Sequence, residues 1–184
     1  LEDVEATLPH LSTVLQAVVK LQLRSGARPT EILKLRRGDI DCTGEVWVAA
    51  IREHKLSHKG KIRRLFFGPR AQAVLRPFLL RKDNEYLFSP VEAEKERHAA
   101  AEGHRRPNQM PNPKKSTRMV GEFYDANSYR QAIARVCKEH DIPKWTPYQL
   151  RHLAATTIEA TSDLETASAI LGHSGLDITQ VYVH

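Results

Sequence analysis

Arg28, Arg151, His173 and Tyr182 are the residues of this chain whose types and settings could do chemistry. Arg28 lies in Gly26-Ala27-Arg28-Pro29-Thr30-Glu31 and Arg151 in Gln149-Leu150-Arg151-His152. His173 lies in Leu171-Gly172-His173-Ser174, and Tyr182 follows it by nine positions. Arginine is always charged, and its planar fork donates paired hydrogen bonds to phosphate oxygens. Phosphodiester transfer passes through a state with excess negative charge on the non-bridging oxygens, so fixed cations aimed at them are the main lever. A tyrosine hydroxyl supplies a nucleophile that can hold the phosphoryl group covalently. His173 can donate to a phosphate oxygen and help place the attacked group, or it can cap a helix; the two roles are compatible.

Composition bounds the setting of these residues. A chain of 184 residues with 41% hydrophobic content fits one domain with a real core and is short for two. The net charge is +6 and the pI about 9.4. A basic balance suits a nucleic-acid partner, because cationic side chains displace counterions from phosphates. Two cysteines, Cys42 and Cys137, are too few for a disulfide framework and read as thiols of a reducing cytoplasm. No apolar run is long enough to span a membrane, and the acidic start Leu1-Glu2-Asp3-Val4-Glu5 carries no signal-peptide pattern. The chain starts without methionine, so it is expected to be a fragment of a longer protein.

The elements that must position the four residues can be read from periodicity and punctuation. Pro9 to Arg24 has helical spacing at Leu11, Val14, Leu15, Val18, Val19 and Leu21, with Gly26 as the stop. Thr30 to Leu35 predicts a short helix with Arg28 at its entry. Val46 to Ile51 and Arg64 to Phe67 predict two strands of a small antiparallel sheet, joined by a turn around Ser57-His58-Lys59-Gly60. Pro69 opens a helix to about Leu80, with an end made uncertain by Pro77. Tyr86-Leu87-Phe88 predicts a short extended piece. Residues 91–121 predict one long basic loop, with prolines at 107, 111 and 113 and with Arg105, Arg106, Lys114, Lys115 and Arg118; it reads as a surface segment or a DNA-backbone contact. Asn127 or Ser128 is expected to cap a helix to about His140 that packs Ile133, Val136 and the stem of Lys138. Thr146-Pro147 predicts the start of a helix carrying Tyr148 and Arg151 to about Thr161. Ser162-Asp163-Leu164-Glu165 is a capping-box pattern for a helix through Ile170, and Asp177 to His184 predicts a last helix bearing Tyr182. The architecture expected is mainly α with one small antiparallel β-sheet.

At Arg28…Glu31, Asp39-Ile40-Asp41, His54-Lys55 ahead of Lys61-Ile62-Arg63-Arg64, Leu150-Arg151-His152 and Leu171-Gly172-His173…Tyr182, the chain resembles the catalytic domain of tyrosine recombinases, the phage-type integrase family. Each piece alone is weak; their order and spacing carry the resemblance, from about Leu11 to His184. His54-Lys55, Phe67-Gly68-Pro69-Arg70-Ala71, Phe88-Ser89-Pro90 and the basic stretch after it are most similar to integrases of planctomycete bacteria. The resemblance implies the tyrosine recombinase (DNA breaking-rejoining enzyme) catalytic-domain fold, with residues 1–184 as a single catalytic domain fragment whose separate N-terminal DNA-binding domain lies outside it.

It further implies site-specific DNA recombination or integration through a 3′-phosphotyrosine on Tyr182. In the family a hairpin lysine protonates the leaving 5′-oxygen. Lys55 matches best, with Lys59 and Lys61 in the same turn as alternatives and as DNA contacts. Glu31 matches an acidic position that orients Arg28. One position departs: Tyr148 stands where the family has histidine. Histidine, with a pKa of about 6.5, can accept the tyrosine proton, whereas tyrosine, at about 10, is a poor base at neutral pH. The general base is therefore left open; Tyr148 can still hydrogen-bond the phosphate, and His152 is expected as structural support. No cofactor is expected, and no metal: His54 and His58 sit on a turn with no carboxylate or cysteine at ligand spacing. The expected partners are double-stranded DNA and three further copies of the chain, a tetramer on paired sites in the bacterial or phage-infected cytoplasm, at the nucleoid and away from membranes. The rival readings are a catalytically weak or inactive DNA-binding homologue and a type IB topoisomerase-like relaxation of supercoils.

Overall fold

The computed structural model describes residues 1–51, 63–102, 121–161 and Leu171. Ten elements make up the described fold: α1 (Glu2–Thr7), α2 (Thr13–Ser25), α3 (Pro29–Leu33), β1 (Ile40–Asp41), β2 (Trp47–Ile51), β3 (Arg63–Phe67), α4 (Pro69–Leu75), α5 (Pro90–Glu102), α6 (Ala126–Glu139) and α7 (Pro147–Thr161). This is the mainly helical architecture with one small antiparallel sheet that the sequence predicts.

Helix α2 is the central rod. Its apolar residues recur at helical spacing, and Val18, Val19 and Leu21 are fully buried. It begins later than expected because Pro9 falls in a 3₁₀ turn, Leu11 is extended, and the Ser12 hydroxyl accepts the Leu15 amide as a true N-cap. It stops at Gly26, which takes the left-handed conformation at φ 61° that glycine adopts without strain. Around α2 pack α3, α4, α5, α7 and the sheet.

The sheet has the order β1-β2-β3, antiparallel throughout, with Ile40 opposite Ala49, Trp47 opposite Phe67 and Ile51 opposite Arg63. Side chains alternate between faces along a strand, so Arg63, Leu65 and Phe67 share the covered face, and all three are buried. Gln72 at the start of α4 donates to the carbonyls of Phe67 (2.9 Å) and Glu45 (2.6 Å), tying that helix to the end of β3. Helix α4 is shorter than predicted: it ends at Leu75 and tightens into a 3₁₀ turn at Arg76–Phe78, because Pro77 has no amide hydrogen to continue the ladder. The extended piece after it pairs Arg36 with Tyr86, and Leu87 donates to the Leu35 carbonyl at 2.9 Å.

Three expectations are corrected here. Residues 91–121 are not one loop, since Pro90–Glu102 forms α5. Its run of Glu, Ala, Lys and Arg consists largely of strong helix formers, Pro90 stands at the start, and Glu94 pairs with Arg97 (2.6 Å) and His98 (3.2 Å) one turn on. Glu96 anchors the helix by accepting from the Thr13 amide (3.0 Å) and hydroxyl (2.7 Å) at the start of α2. The cap of α6 is Asp125, not Asn127 or Ser128: its carboxylate accepts both of their amides, at 2.8 and 2.9 Å. On the inner face of α6, Tyr129, Ile133, Val136 and Cys137 are buried, while Lys138 is exposed. Among the described residues, no helix is long and apolar enough to cross a membrane.

Candidate active site

Arg28 is positioned by the end of α2 and the start of α3. The left-handed turn at Gly26 reverses the chain, and Arg28 stands as the extended N-cap of α3 with Pro29 in the first helical position. Glu31, three residues on, folds back over this turn. Its carboxylate accepts the Arg28 amide at 2.9 Å and Arg28 Nη1 at 2.8 Å, so one side chain fixes both the backbone and the guanidinium of Arg28. Glu31 is buried, and the Arg28 side chain remains about a third exposed (36%). Pinned at one end and open at the other, Arg28 is oriented while still able to meet a ligand.

Arg151 comes from the second turn of α7 and is buried at 6% exposure. Its Nη1 donates to the Gly26 carbonyl at 2.5 Å, and its Nη2 donates to the Leu171 carbonyl at 2.7 Å. One guanidinium thus ties together the loop that presents Arg28, its own helix, and the head of the Leu-Gly-His segment. Burial lowers the pKa of Arg151 from its ordinary value, and the charge of Arg28 lowers it further, while Glu31 and Tyr148 oppose both. Guanidinium stays charged under such shifts, so two permanent cations share one neighbourhood.

A buried polar relay holds this arrangement from beneath. The Tyr129 hydroxyl on α6 donates to Gln22 Oε1 at 2.9 Å, and Gln22 Nε2 donates to the Ala27 carbonyl at 3.2 Å. Tyr129 and Gln22 are fully buried, and burial raises the Tyr129 phenol well above its ordinary pKa, so it stays a donor. The relay holds the backbone at Ala27, one residue from Arg28.

Tyr148 and His152 lie on the outer side of α7. Tyr148 is 53% exposed, and its ring meets that of His152 edge-on, with centroids 5.3 Å apart. Tyr148 lies one helical turn before Arg151 and is near enough to raise its pKa. His152 is exposed, and its ring contact is with Tyr148.

Arg63 is the residue that sequence reasoning missed. It opens β3, is buried at 6% exposure, and its Nε lies 3.6 Å from Glu31 Oε1. The signal was present: period-two alternation puts Arg63 on the same face as Leu65 and Phe67, and an arginine on a core face needs a partner. The structure therefore brings together Arg28, Glu31 and Arg151 and adds Arg63, with Tyr148 one turn before Arg151 on α7 and His152 against the Tyr148 ring. Lys55, Lys59, Lys61, Arg105, Arg106, Lys114, Lys115, Arg118, His173 and Tyr182 lie outside the described residues, as does the His54–His58 pair. Among the described residues, no cluster of His, Cys, Asp or Glu could hold a metal ion.

The fold that carries this pocket is that of the tyrosine recombinase catalytic domains. The XerA recombinase crystal structure matches 100% of this chain with 57% of its own, at a TM-score of 0.60 and 22% identity. The Tn1549 transposon integrase, solved in complex with circular intermediate DNA, matches 97% of this chain with 57% of its own, at a TM-score of 0.55 and 16% identity. Residues 2–184 match the phage integrase family, and the chain belongs to that family. It is 30% identical over 172 residues to tyrosine recombinase XerC of Bifidobacterium longum subsp. infantis, covering 91% of this chain and 42% of that protein. It is likewise 30% identical over 169 residues to XerC of Mycobacterium tuberculosis, covering 91% and 48%. The chain thus spans somewhat under half the length of these curated relatives.

Proposed function

We propose that this chain is the strand-cleaving part of a site-specific DNA recombinase. Tyr182 attacks the scissile phosphorus, its phenolic proton passes to a general base that the sequence leaves open, a Tyr–O–P bond forms, and the bond to the 5′-oxygen breaks. The product is a 3′-phosphotyrosine and a free 5′-hydroxyl. The leaving oxygen takes its proton from a hairpin lysine, Lys55 in the first instance and Lys59 or Lys61 otherwise. Because the covalent step conserves the phosphodiester energy, a second strand can be rejoined by the reverse attack without a nucleotide. Arg28 and Arg151 hold the non-bridging oxygens, and His173 donates beside them. Lys59, Lys61, Arg105, Arg106, Lys114, Lys115 and Arg118 track the DNA backbone. By analogy with the family, the working assembly is a tetramer on two duplexes, acting at the nucleoid.

The observation that supports this reading most is the tie through Gly26. Arg151, far along the chain from Arg28, donates to the carbonyl two residues before it, so the two cations are tied to one turn of the backbone. The test is covalent capture. The protein is incubated with a pool of random-sequence duplexes, denatured in detergent, and the DNA that stays attached is sequenced. We expect a detergent-stable complex enriched for one site, absent in Tyr182→Phe, which still binds DNA. Covalent linkage that persists in Tyr182→Phe would sink the assignment. Relaxation of supercoiled plasmid without site enrichment would favour a topoisomerase-like activity, and DNA binding without any linkage an inactive homologue.

A further inference from the structure

Arg63 belongs to none of the roles assigned above, yet it is buried against the carboxylate that orients Arg28. Glu31 contacts two arginines from different elements: Arg28 at 2.8 Å from α3, and Arg63 at 3.6 Å from the first residue of β3. The charges decide what this can mean. Arg28 and Glu31 alone form a neutral pair, and a neutral pair attracts a phosphate poorly. With Arg63 present the carboxylate is counterbalanced from its buried side, and the positive charge of Arg28 is left to the exposed side, next to Arg151. Burial lowers the pKa of Arg63, Glu31 raises it, and the charges of Arg151 and Arg28 lower it again. Guanidinium remains protonated under such shifts.

We propose that Arg63 is a positioning residue of the strand-cleavage site, which neutralises Glu31 from behind so that Arg28 and Arg151 face the scissile phosphate with their full charge. Arg63 itself does not touch the phosphate. The inference rests on the cleavage reading above, and one of its two measurements does not depend on cleavage.

The variants are Arg63→Met, Arg63→Lys, and Arg63→Met combined with Glu31→Gln. The measurements are single-turnover cleavage of the duplex recovered by covalent capture, and the rise in Tm produced by inorganic phosphate. Arg63→Met is expected to slow cleavage about tenfold, the scale of one unit charge acting over about 12 Å at an effective dielectric of about 20. It is also expected to blunt the phosphate-induced rise. The double variant removes one cation and one anion together, and the carboxamide oxygen introduced by Glu31→Gln can still accept the Arg28 amide; it is expected to recover most of both losses. Arg63→Lys keeps the charge, and a contact as long as 3.6 Å does not demand a fork, so it is expected to stay near the wild type. Loss that Glu31→Gln does not relieve, or that Arg63→Lys shares in full, would make Arg63 a packing residue and overturn the proposal. Normal cleavage and phosphate response in Arg63→Met would overturn it as well. If Arg63→Met does not fold, the double variant decides, since it must fold and respond to phosphate. A wild-type protein that shows the expected phosphate pattern but cleaves no DNA would refute the cleavage reading and leave the role of Arg63 standing; a wild type that shows neither refutes both.

Discussion

Tyr148 is the residue at which the resemblance implies a departure from the family pattern, and its setting makes that departure testable. It sits on the exposed side of α7, three residues before Arg151, with its ring edge-on to His152. A phenol there can donate to a phosphate oxygen, but an imidazole, with an ordinary pKa of about 6.5, could also take the proton of the attacking tyrosine near neutrality. We therefore expect Tyr148→His to keep or raise the rate of cleavage and to add a rising limb to the pH–rate profile near the imidazole pKa. A strong loss of rate across the whole pH range would instead show that the Tyr148 hydroxyl has a role of its own. Exposure at 53% means the substitution should disturb the core little. At this scale the sequence was informative wherever a residue stood inside a motif. Arg28, Glu31 and Arg151 were legible because loop, helix start and spacing all pointed the same way. Arg63 and Gln22 were not. Arg63 is one of four residues in a basic run, and only the strand register selects it over Arg64. Gln22 is a polar residue in an apolar helix whose purpose depends on Tyr129, more than a hundred positions away.

Helix ends carry the site, and so the element scale is where its geometry can be perturbed most selectively. The junction of α2 and α3 turns on Gly26. Its φ of 61° is strained for an L side chain, and an added Cβ would lie 2.6 Å from Leu171 Cδ2. Both penalties fall on the residue whose carbonyl receives Arg151. Gly26→Ala is expected to cost roughly 1–3 kcal/mol of unfolding free energy, from the left-handed backbone and the contact together. It should also slow cleavage by more than its stability loss explains, because relief of the contact pushes Leu171 away from Arg151. Urea unfolding and single-turnover cleavage on the same preparations separate the two effects; a stability loss with unchanged cleavage would show that Arg151 finds its position without this carbonyl. Element types were readable from sequence, but boundaries were less so. Ser12 and Asp125 took the caps because each had an oxygen placed to receive amides of the first helical turn, a choice that depends on the backbone path into the helix. Helix α5 was hidden because the prolines and basic residues beyond it coloured the reading of the whole segment, although its own composition favours a helix.

For the molecule as a whole, the excess positive charge is the property on which the proposed DNA binding would depend. The net charge of +6 is not spread evenly. Between Gly103 and Gly121 the sequence contains five lysines and arginines and no acid, whereas Pro90–Glu102 mixes both signs and pairs several of them internally. If the basic stretch tracks the DNA backbone as proposed, its cations release counterions on binding, and the logarithm of the binding constant falls with the logarithm of salt by about 0.9 for each phosphate neutralised. Replacing Arg105, Arg106, Lys114, Lys115 and Arg118 with glutamine should then weaken binding uniformly across DNA sequences and flatten the salt slope, by up to about 4.5 if all five contact phosphates. Arg63→Met serves as the contrast, because a buried cation that balances Glu31 should alter cleavage while leaving the slope unchanged. Filter binding or anisotropy on a fixed duplex over a series of salt concentrations reads both. An unchanged slope in the glutamine variant would remove this stretch from the DNA interface and assign the chain's basic balance to the pocket and the hairpin lysines. A flattened slope, with cleavage altered only by Arg63→Met, would show that affinity and chemistry are carried by different cations of the chain, those of residues 105–118 gathering DNA and Arg28 and Arg151 holding the phosphate in register.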